Sequence, residues 1–134
     1  EPGGLQAAVV GMAEALRPGG VVVFDMNTPR ALRIGLFTQN NMTTNEPLQY
    51  TWTSTWDERR KLCKVDMQFI WLGDGQPQPF HETHYERAYE IDEVREMVAE
   101  AGLRTLAVYE AYSFNSPTAK SDRVYFLTCK DKPK

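Results

Sequence analysis

The chain has 134 residues, which is enough for a single domain with a modest hydrophobic core. Apolar residues make up 42% of the sequence and charged residues 25%, values that are typical of globular domains. The net charge of -3 argues against a nucleic-acid-binding surface, which would need a clustered basic stripe, and no apolar run approaches the roughly 20 residues that a membrane span requires.

The first predicted element is an amphipathic helix over residues 5–16, and a strand follows it. The apolar residues that recur at helical spacing are Leu5, Val9, Met12, Ala13 and Leu16. Pro18 prevents the helix from continuing, and Gly19 or Gly20 can adopt the left-handed conformation that ends a helix. Residues 21–25 then read Val-Val-Val-Phe-Asp. A strand that is apolar on both faces and follows a helix is typical of the middle of a layered α/β sheet.

A short helix and a loop are predicted next. Thr28 and Pro29 have the residue types of a helix N-cap and a first helical position, and they predict a helix that reaches about residue 37. Residues 39–47 are polar and rich in Asn and Thr, which predicts a loop.

Between residues 48 and 88 the pattern changes to three strands with alternating side chains, joined by turns at residues 57–60 and at Gly73-Asp74-Gly75. Tyr50, Trp52 and Trp56 share one face of the first strand. The apolar face of the second strand is formed by Cys63, Val65, Met67, Phe69 and Trp71. The third strand covers residues 80–88. Together they predict an antiparallel meander in which each of the first two strands has one apolar face.

The last predicted elements are a helix and two strands. Apolar residues return at helical spacing from Ile91 to Ala101, and Gly102 is a natural helix stop. Residues 104–109 and 123–130 are two further strands, joined by a polar loop over residues 113–122.

Short motifs stand in a fixed order along nearly the whole chain. They are Leu16-Arg17-Pro18-Gly19-Gly20, Phe24-Asp25-Met26-Asn27-Thr28-Pro29, Tyr50-Thr51-Trp52-Thr53 with Trp56-Asp57, Glu86-Arg87-Ala88-Tyr89 with Glu93-Val94 and Ala101-Gly102-Leu103, and Asp122-Arg123-Val124-Tyr125-Phe126. In this order they resemble the late elements of class I S-adenosylmethionine-dependent methyltransferases: the turn into the fifth strand, that strand's end, a lid strand of one subgroup, the last helix and the final strand. The chain thus resembles the carboxyl-terminal portion of such an enzyme.

The resemblance implies an α/β fold, in which residues 21–25, 104–109 and 123–130 form the last three strands of a partial Rossmann-like sheet. This sheet would be mixed, with the final strand in its centre. The three-stranded antiparallel meander would be an insertion over residues 47–89 that serves as a substrate lid, and residues 1–134 would form one partial methyltransferase domain.

The cofactor-binding elements of the family have no counterpart in this sequence. The family holds S-adenosylmethionine with a glycine-rich loop after the first strand and an acidic residue at the end of the second. Gly3-Gly4 precedes a helix but follows no strand, so it cannot serve as that loop. We therefore expect S-adenosylmethionine to be the cofactor of the intact enzyme, and this chain alone to have no cofactor-binding residue and to bind none.

Asp25 and Asn27 are the first candidate site residues, because they lie at the carboxyl end of a strand, where open α/β sheets bind ligands. In the family that this chain resembles, the same edge faces the reacting methyl group, so Asn27 is a candidate substrate-binding residue. The alternative is that Asp25 and Asn27 cap the turn into the helix at Pro29.

The third meander strand carries His81-Glu82-Thr83-His84, which allows two readings. His81 and His84 point to opposite faces of a strand and cannot share a metal ion without a bulge, so we expect no metal site. Glu82 and His84 share a face, which makes His84 a candidate general base and substrate-binding residue oriented by a carboxylate. The alternative is that these residues form the polar surface of a lid sheet.

The remaining candidates also lie in the meander. The aromatic side chains are Tyr50, Trp52, Trp56, Phe69 and Trp71. They form either a wall for an apolar or sugar-like substrate or the core of the meander, which needs one buried face to be stable. Arg87, near the end of the third strand, is a further candidate substrate-binding residue.

These observations favour the carboxyl-terminal part of a methyltransferase that acts on a small molecule and is inactive as the isolated chain. The alternatives are a standalone α+β module that binds a small ligand, and a structural unit that works only by pairing with another chain. Cys63 and Cys129 lie far apart in strand-like segments, which predicts reduced thiols in the cytoplasm. Residues 1–4 lack the basic start and apolar core of a signal peptide.

The first strand also predicts a protein partner. Residues 21–24 carry no charge, and without the neighbouring strand that the family has, they would present an unpaired apolar edge. We therefore expect a homodimer, a strand exchange or a missing amino-terminal half to cover this edge. No nucleic-acid or membrane partner is expected.

Overall fold

The computed structural model describes residues 3–73 and 75–132, so Asp74 of the predicted turn lies outside the described residues. In chain order the elements are α1 (Gly4–Ala15), β1 (Val21–Asn27), α2 (Pro29–Arg33), β2 (Gln39–Asn40), β3 (Leu48–Asp57), β4 (Leu62–Trp71), β5 (Gln78–Arg87), α3 (Ile91–Glu100), β6 (Arg104–Glu110) and β7 (Arg123–Cys129). The chain divides into two compact units. The first contains the described residues up to Thr28 and from Tyr89 onwards, and the second contains Pro29–Ala88. None of the described helices is long and apolar enough to cross a membrane.

The two long helices of the first unit end where the sequence predicts. Beyond α1, Gly19 has a φ of 81°, and beyond α3, Gly102 has a φ of 78°. Both values lie in the left-handed region that glycine adopts without a steric penalty. α3 begins with a capping box, in which the backbone N–H of Glu90 donates to Glu93 Oε2 at 2.6 Å.

The first unit contains one three-stranded sheet in the order β1-β7-β6. The prediction that the last strand lies in the centre is therefore confirmed. β7 is antiparallel to both neighbours, so β1 and β6 run in the same direction on either side of it. A mixed sheet also contains a parallel pairing, and among these three strands none is present.

One face of this sheet packs against α1 and α3. The buried core comprises Val9, Ala13, Val94, Val98, Leu103, Val108, Val124 and Phe126. Phe24 of β1 stacks on Phe126 of β7, with the ring centroids 5.0 Å apart. The apolar residues that recur at helical spacing in the sequence are thus the ones that face the sheet.

The prediction that β1 is covered on both faces is wrong for the described residues. Val21 is 52% exposed and Val23 is 64% exposed, whereas Phe24 and Met26 pack against the core. Both helices of this unit belong to the same core cluster, and β1 is an outer strand of the sheet. Alternate side chains of β1 therefore face away from the helices and remain open to solvent.

The second unit is a four-stranded antiparallel sheet in the order β2-β3-β4-β5. The three meander strands predicted from the sequence are present as β3, β4 and β5. In the turn between β3 and β4, the backbone N–H of Arg60 donates to Asp57 Oδ1 at 2.9 Å. The prediction of a loop over residues 39–47 is wrong at its start, because Gln39 and Asn40 pair with β3.

Two further boundaries in this unit differ from the prediction. α2 ends at Arg33 and not near residue 37, and Gly35 beyond it has a φ of 70°. β5 begins at Gln78 and not at residue 80, so Pro79 lies inside the strand. β5 is at the edge of the sheet, where a residue that has no N–H group is tolerated.

The core of the second unit lies between α2 and the meander. Leu32 of α2 is buried with Cys63 and Val65 of β4 and with Ala88. Both cysteines of the chain are buried and free, as expected for structural thiols. Burial raises the pKa of the Cys63 thiol, and the charge of Glu86 raises it further, which keeps this thiol protonated and unreactive.

Candidate functional site

The carboxyl end of β1 carries a small charged cluster. Asp25 Oδ2 lies 3.3 Å from Arg123 Nη1, and Arg123 Nε donates to Asn27 Oδ1 at 3.4 Å. Arg123 is the first residue of β7 and the cross-strand partner of Asn27. Arg123 was not selected as a site residue from the sequence, because only the strand register reveals this pairing. The guanidinium holds both predicted side chains in place at the strand end.

Thr28 fixes the chain directly after this cluster. Its hydroxyl donates to the carbonyl oxygen of Ser121 at 2.8 Å, and its backbone N–H donates to the carbonyl oxygen of Asp122 at 2.9 Å. The Ser121 hydroxyl in turn donates to Glu110 Oε1 at 2.8 Å. Thr28 and Ser121 are both buried, so these bonds are shielded from water. The end of β1 is therefore a rigid part of the first unit.

A tyrosine pair lies beside Asp25. The rings of Tyr112 and Tyr125 meet edge to face, with centroids 5.8 Å apart. Burial raises the pKa of Tyr125, and the hydrogen bond with Tyr112 and the charge of Asp25 raise it further. A surface cavity of about 340 Å³ opens next to this pair. Its other lining residues are Val23, Tyr109, Ser113, Phe114 and Leu127.

Glu82 and His84 lie together on β5, as the alternation of the strand predicts. Glu82 Oε2 is 2.8 Å from His84 Nε2, and both side chains are about half exposed. Their cross-strand partners are Met67 and Val65, whose side chains belong to the apolar face of the sheet. The carboxylate can therefore orient the imidazole at the border of an apolar surface. His81 lies on the opposite face of β5, and the pairing of this strand with β4 runs without a bulge from Gln78 to Arg87.

The aromatic residues of the meander extend from the buried core of the second unit to its surface. Trp52 and Trp56 pack against the buried core around Leu32. The row continues from Trp52 to Phe69, with centroids 6.3 Å apart, and from Phe69 to Phe80, which stack at 4.8 Å. Phe80 is 47% exposed, so the far end of the row is a surface.

Among the aromatic candidates, Tyr50 has a partly exposed side chain and Trp52 has an unused indole N–H group. Their ring centroids lie 5.3 Å apart, and Tyr50 is only half-buried. Trp52 Nε1 is buried and has no hydrogen-bond partner among the described residues. Such a donor is uncommon in a folded protein, because an unmade hydrogen bond inside the protein is costly.

Trp56 and Arg87 have their polar groups engaged within the chain. Trp56 Nε1 donates to Glu58 Oε2 at 2.6 Å, and the guanidinium of Arg33 lies 5.8 Å above the indole ring. Arg87 Nη1 donates to the carbonyl oxygen of Arg60 at 3.0 Å, at the turn between β3 and β4. These contacts give both residues a role in holding the sheet together.

No family model matches this chain. The protein YqeM of Bacillus subtilis (strain 168), provisionally named as a methyltransferase, is 26% identical over 118 residues. The match covers 87% of this chain and 47% of that protein. The chain therefore spans about half the length of the curated relatives it matches.

Matches to solved structures likewise cover about half of each matched chain. An S-adenosylmethionine-dependent methyltransferase from Clostridium acetobutylicum ATCC 824 superposes with a TM-score of 0.80 at 20% identity, over 94% of this chain and 50% of that one. The sugar N-methyltransferase KedS8 from Streptoalloteichus sp ATCC 53650 superposes with a TM-score of 0.64 at 14% identity, over 95% of this chain and 49% of that one.

The strand order with a central β7 and the inserted antiparallel sheet thus occur together in methyltransferases about twice as long as the matched part of this chain. The resemblance that the sequence motifs predict is confirmed. The chain has the partial Rossmann-like fold of an S-adenosylmethionine-dependent methyltransferase and corresponds to its carboxyl-terminal portion.

Proposed function

We propose that this chain is the acceptor-binding part of an S-adenosylmethionine-dependent methyltransferase that acts on a small molecule. The observation that supports this proposal most strongly is the superposition of nearly the whole chain on half of such an enzyme. In this proposal the second unit is the substrate lid. In the intact enzyme S-adenosylmethionine would supply the methyl group, and the part of this chain would be to hold the acceptor close to it and in the required orientation.

The residues of this chain do not fit S-adenosylmethionine on their own. The described strand-to-helix turns follow β1 and β5, and neither contains a glycine. A cofactor of this kind needs a turn at which the backbone N–H groups of a helix N-terminus can approach it closely, and glycine permits that approach. We therefore propose that the isolated chain neither binds the cofactor nor transfers a methyl group.

Asn27 is the residue that we propose to bind the acceptor at the end of β1. Ligands of open α/β sheets bind beyond the carboxyl ends of the strands, and Asn27 is the last residue of β1. The hydrogen bond from Arg123 fixes the position of the Asn27 amide. An amide that is held in place can orient an acceptor without losing side-chain entropy at the moment of binding.

His84 is the residue that we propose as general base, for an acceptor that must lose a proton. The Glu82 carboxylate would hold the His84 Nε2–H group and stabilise the imidazolium that forms when Nδ1 takes up a proton. Glu82 is thus a positioning residue. An amine acceptor that is already neutral would not need this step.

Tyr50 and Trp52 are the residues that we propose as the aromatic wall of the acceptor site. The unused indole N–H of Trp52 is a donor for a polar group on the acceptor. The neighbour named as a sugar N-methyltransferase supports a small polar ring as the kind of acceptor. Trp56 and Arg87 are assigned to the structure of the lid, because the Trp56 indole N–H and an Arg87 guanidinium N–H donate within the chain.

A calorimetric titration tests the proposal. We expect no binding isotherm when the isolated chain is titrated with S-adenosylmethionine at millimolar concentration, because neither of the described strand-to-helix turns contains a glycine. When the amino-terminal half of YqeM is co-expressed as a separate polypeptide, we expect a complex that binds the cofactor with micromolar affinity. An isotherm of one cofactor per isolated chain would contradict the proposal. So would a purified complex of the two polypeptides that does not bind the cofactor.

A further inference from the structure

The face of the four-stranded sheet opposite Glu82 and His84 contains a second cavity. Its volume is about 430 Å³, within the range of small-molecule sites. The side chains that define it come from three adjacent strands and from the segment after β2. The lining residues are Met42, Gln49, Thr51, Gln68, Phe69, Ile70, Pro79, Phe80 and His81, of which Phe69 and Phe80 belong by strand alternation to the opposite face of the sheet.

The floor of this cavity is made of two rows of cross-strand partners. Thr51, Gln68 and His81 lie side by side across β3, β4 and β5 and form a polar row. The adjacent row on the same face is more apolar. In this row Gln49 of β3 pairs with Ile70 of β4, which pairs with Pro79 of β5. Side chains two residues apart on a strand share a face, so both rows face the same space.

A loop held by hydrogen bonds brings Met42 to the edge of this floor. The side-chain amide of Asn41 donates to the carbonyl oxygen of Leu48 at 2.9 Å and accepts from the backbone N–H of Tyr50 at 2.6 Å. The backbone N–H of Asn41 also donates to the carbonyl oxygen of Tyr50 at 3.1 Å. These three bonds fix the start of the loop, and Met42 follows directly and lines the cavity. The cavity is therefore a built feature of the second unit.

The lining of the cavity has hydrogen-bonding groups but no charged carboxylate, ammonium or guanidinium. The side chains of Gln49, Thr51 and Gln68 make no hydrogen bond with other described residues. The nearest charged side chains of β4 on this face neutralise each other, because Lys64 Nζ lies 2.8 Å from Asp66 Oδ2. Amides and a hydroxyl that both donate and accept suit neutral polar partners better than ions.

We propose that this cavity binds a neutral hydroxylated ring, of the chemical class of a pyranoside. Such a ring has an apolar C–H face and an edge of hydroxyl groups. The C–H face would pack on Ile70, Pro79 and Met42, and the hydroxyl edge would meet the polar row. This site lies on the face of the sheet that the proposed methyl acceptor does not use, so the proposal does not depend on the proposed function.

The test is a nuclear magnetic resonance titration of the 134-residue chain with methyl α-D-glucopyranoside, methyl α-D-mannopyranoside and methyl β-D-galactopyranoside. For at least one glycoside we expect saturable shifts of the side-chain amide signals of Gln49 and Gln68, with a Kd of about 1–10 mM. Absence of saturation by all three at about 100 mM would overturn the proposal.

Variants locate the site. Gln68→Leu removes the amide but keeps a similar volume, and we expect it to weaken binding by about tenfold. Asn41→Ala touches no ligand in this proposal, and we expect it to weaken binding by releasing the loop that carries Met42. Thr53→Val is the matched control, because Thr53 lies on the same face one row beyond the cavity, and it should leave the affinity unchanged. Equal losses in Gln68→Leu and Thr53→Val, or a Gln68→Leu variant that binds as tightly as the wild type, would contradict the proposal.

Discussion

Trp52 and Trp56 occupy equivalent places on β3, but their indole nitrogens differ. Both rings pack against the core around Leu32, yet Trp56 Nε1 donates to Glu58, and Trp52 Nε1 has no partner among the described residues. Replacing either tryptophan with phenylalanine removes the same volume, whereas only Trp56→Phe breaks a hydrogen bond. We therefore expect Trp56→Phe to lower the free energy of unfolding more than Trp52→Phe does. Urea denaturation of the two variants measures this difference.

The comparison has an internal control. If the indole and the carboxylate do not interact, the double variant Trp56→Phe/Glu58→Gln should lose as much free energy of unfolding as the two single variants together. We expect a smaller cost for the double variant, because each single variant already removes the charge-assisted hydrogen bond at 2.6 Å. Equal stability of Trp52→Phe and Trp56→Phe would contradict the assignment of the unpaired nitrogen.

Glu58 gives the second unit a dependence on acid pH. Hydrogen bonds from Lys61 and Trp56 lower the pKa of Glu58 from its ordinary value of 4.5 to about 2. Because the folded pKa lies below the unfolded one, the contribution of Glu58 to stability is fully present above pH 4.5 and is lost as the pH falls towards 2. We expect the urea midpoint of the wild type to fall more steeply over this range than that of Glu58→Gln.

Lys61→Gln separates this effect from the general acid sensitivity of the chain. Lys61 is the largest cause of the low pKa of Glu58, so its removal should also flatten the pH profile between 4.5 and 2. A Lys61→Gln profile as steep as that of the wild type would show that another carboxylate carries the dependence.

From the sequence, candidate residues could be selected only where the spacing along one strand determines which side chains share a face. The alternation of β5 places Glu82 and His84 on one face, and the structure has them 2.8 Å apart. Arg123 lies far from Asn27 along the chain, so their contact depends on the register of β1 against β7. The unpaired nitrogen of Trp52 depends on what surrounds the ring in three dimensions. Spacing carries no information about either contact.

At the scale of the elements, the sequence predicts the two long helices and the main strands, because hydrophobic periodicity and glycine stops are local signals. It does not predict the two-residue β2, which exists only because β3 offers it a partner. The sequence also predicts, wrongly, that both faces of β1 are buried, because three consecutive valines are typical of a buried strand. Exposure of Val21 and Val23 depends on which face the helices cover.

The capping box of α3 is an element-scale feature that can be tested directly. Glu93 accepts the backbone N–H of Glu90, and the Glu90 side chain accepts the backbone N–H of Glu93. Glu93→Ala leaves an N-terminal donor of the helix without a partner, and we expect it to lower the free energy of unfolding by about 1 kcal/mol. Glu96→Ala, at an exposed position of the same helix, is the control and should change stability by less than about 0.5 kcal/mol. Thermal unfolding measures the loss of stability in both variants.

At the scale of the whole molecule, the unpaired edge of β1 predicts that this chain needs a protein partner. β1 pairs with β7 on one side, and among the described residues no strand pairs with its other side. Val21 and Val23 are exposed, and the cavity beside Tyr109 and Phe114 continues this apolar surface. An outer strand with an uncharged run such as residues 21–24 is a template for pairing with another chain. Folded proteins usually cover such an edge or place charges along it.

We expect the isolated chain to close this edge by forming a homodimer, since a two-fold pairing of equivalent edges is the simplest closed arrangement. Light scattering at high micromolar concentration should give the mass of two chains, and the backbone amides of Val22 and Val23 should exchange slowly with solvent. Val23→Lys places a charge on the exposed side of β1 and should shift the equilibrium to monomer. Val10→Lys is the matched control, because Val10 is 36% exposed on α1, and it should leave the dimer intact. A stable wild-type monomer in which the amides of Val22 and Val23 exchange fast would contradict the expectation, because the edge would then be open to solvent.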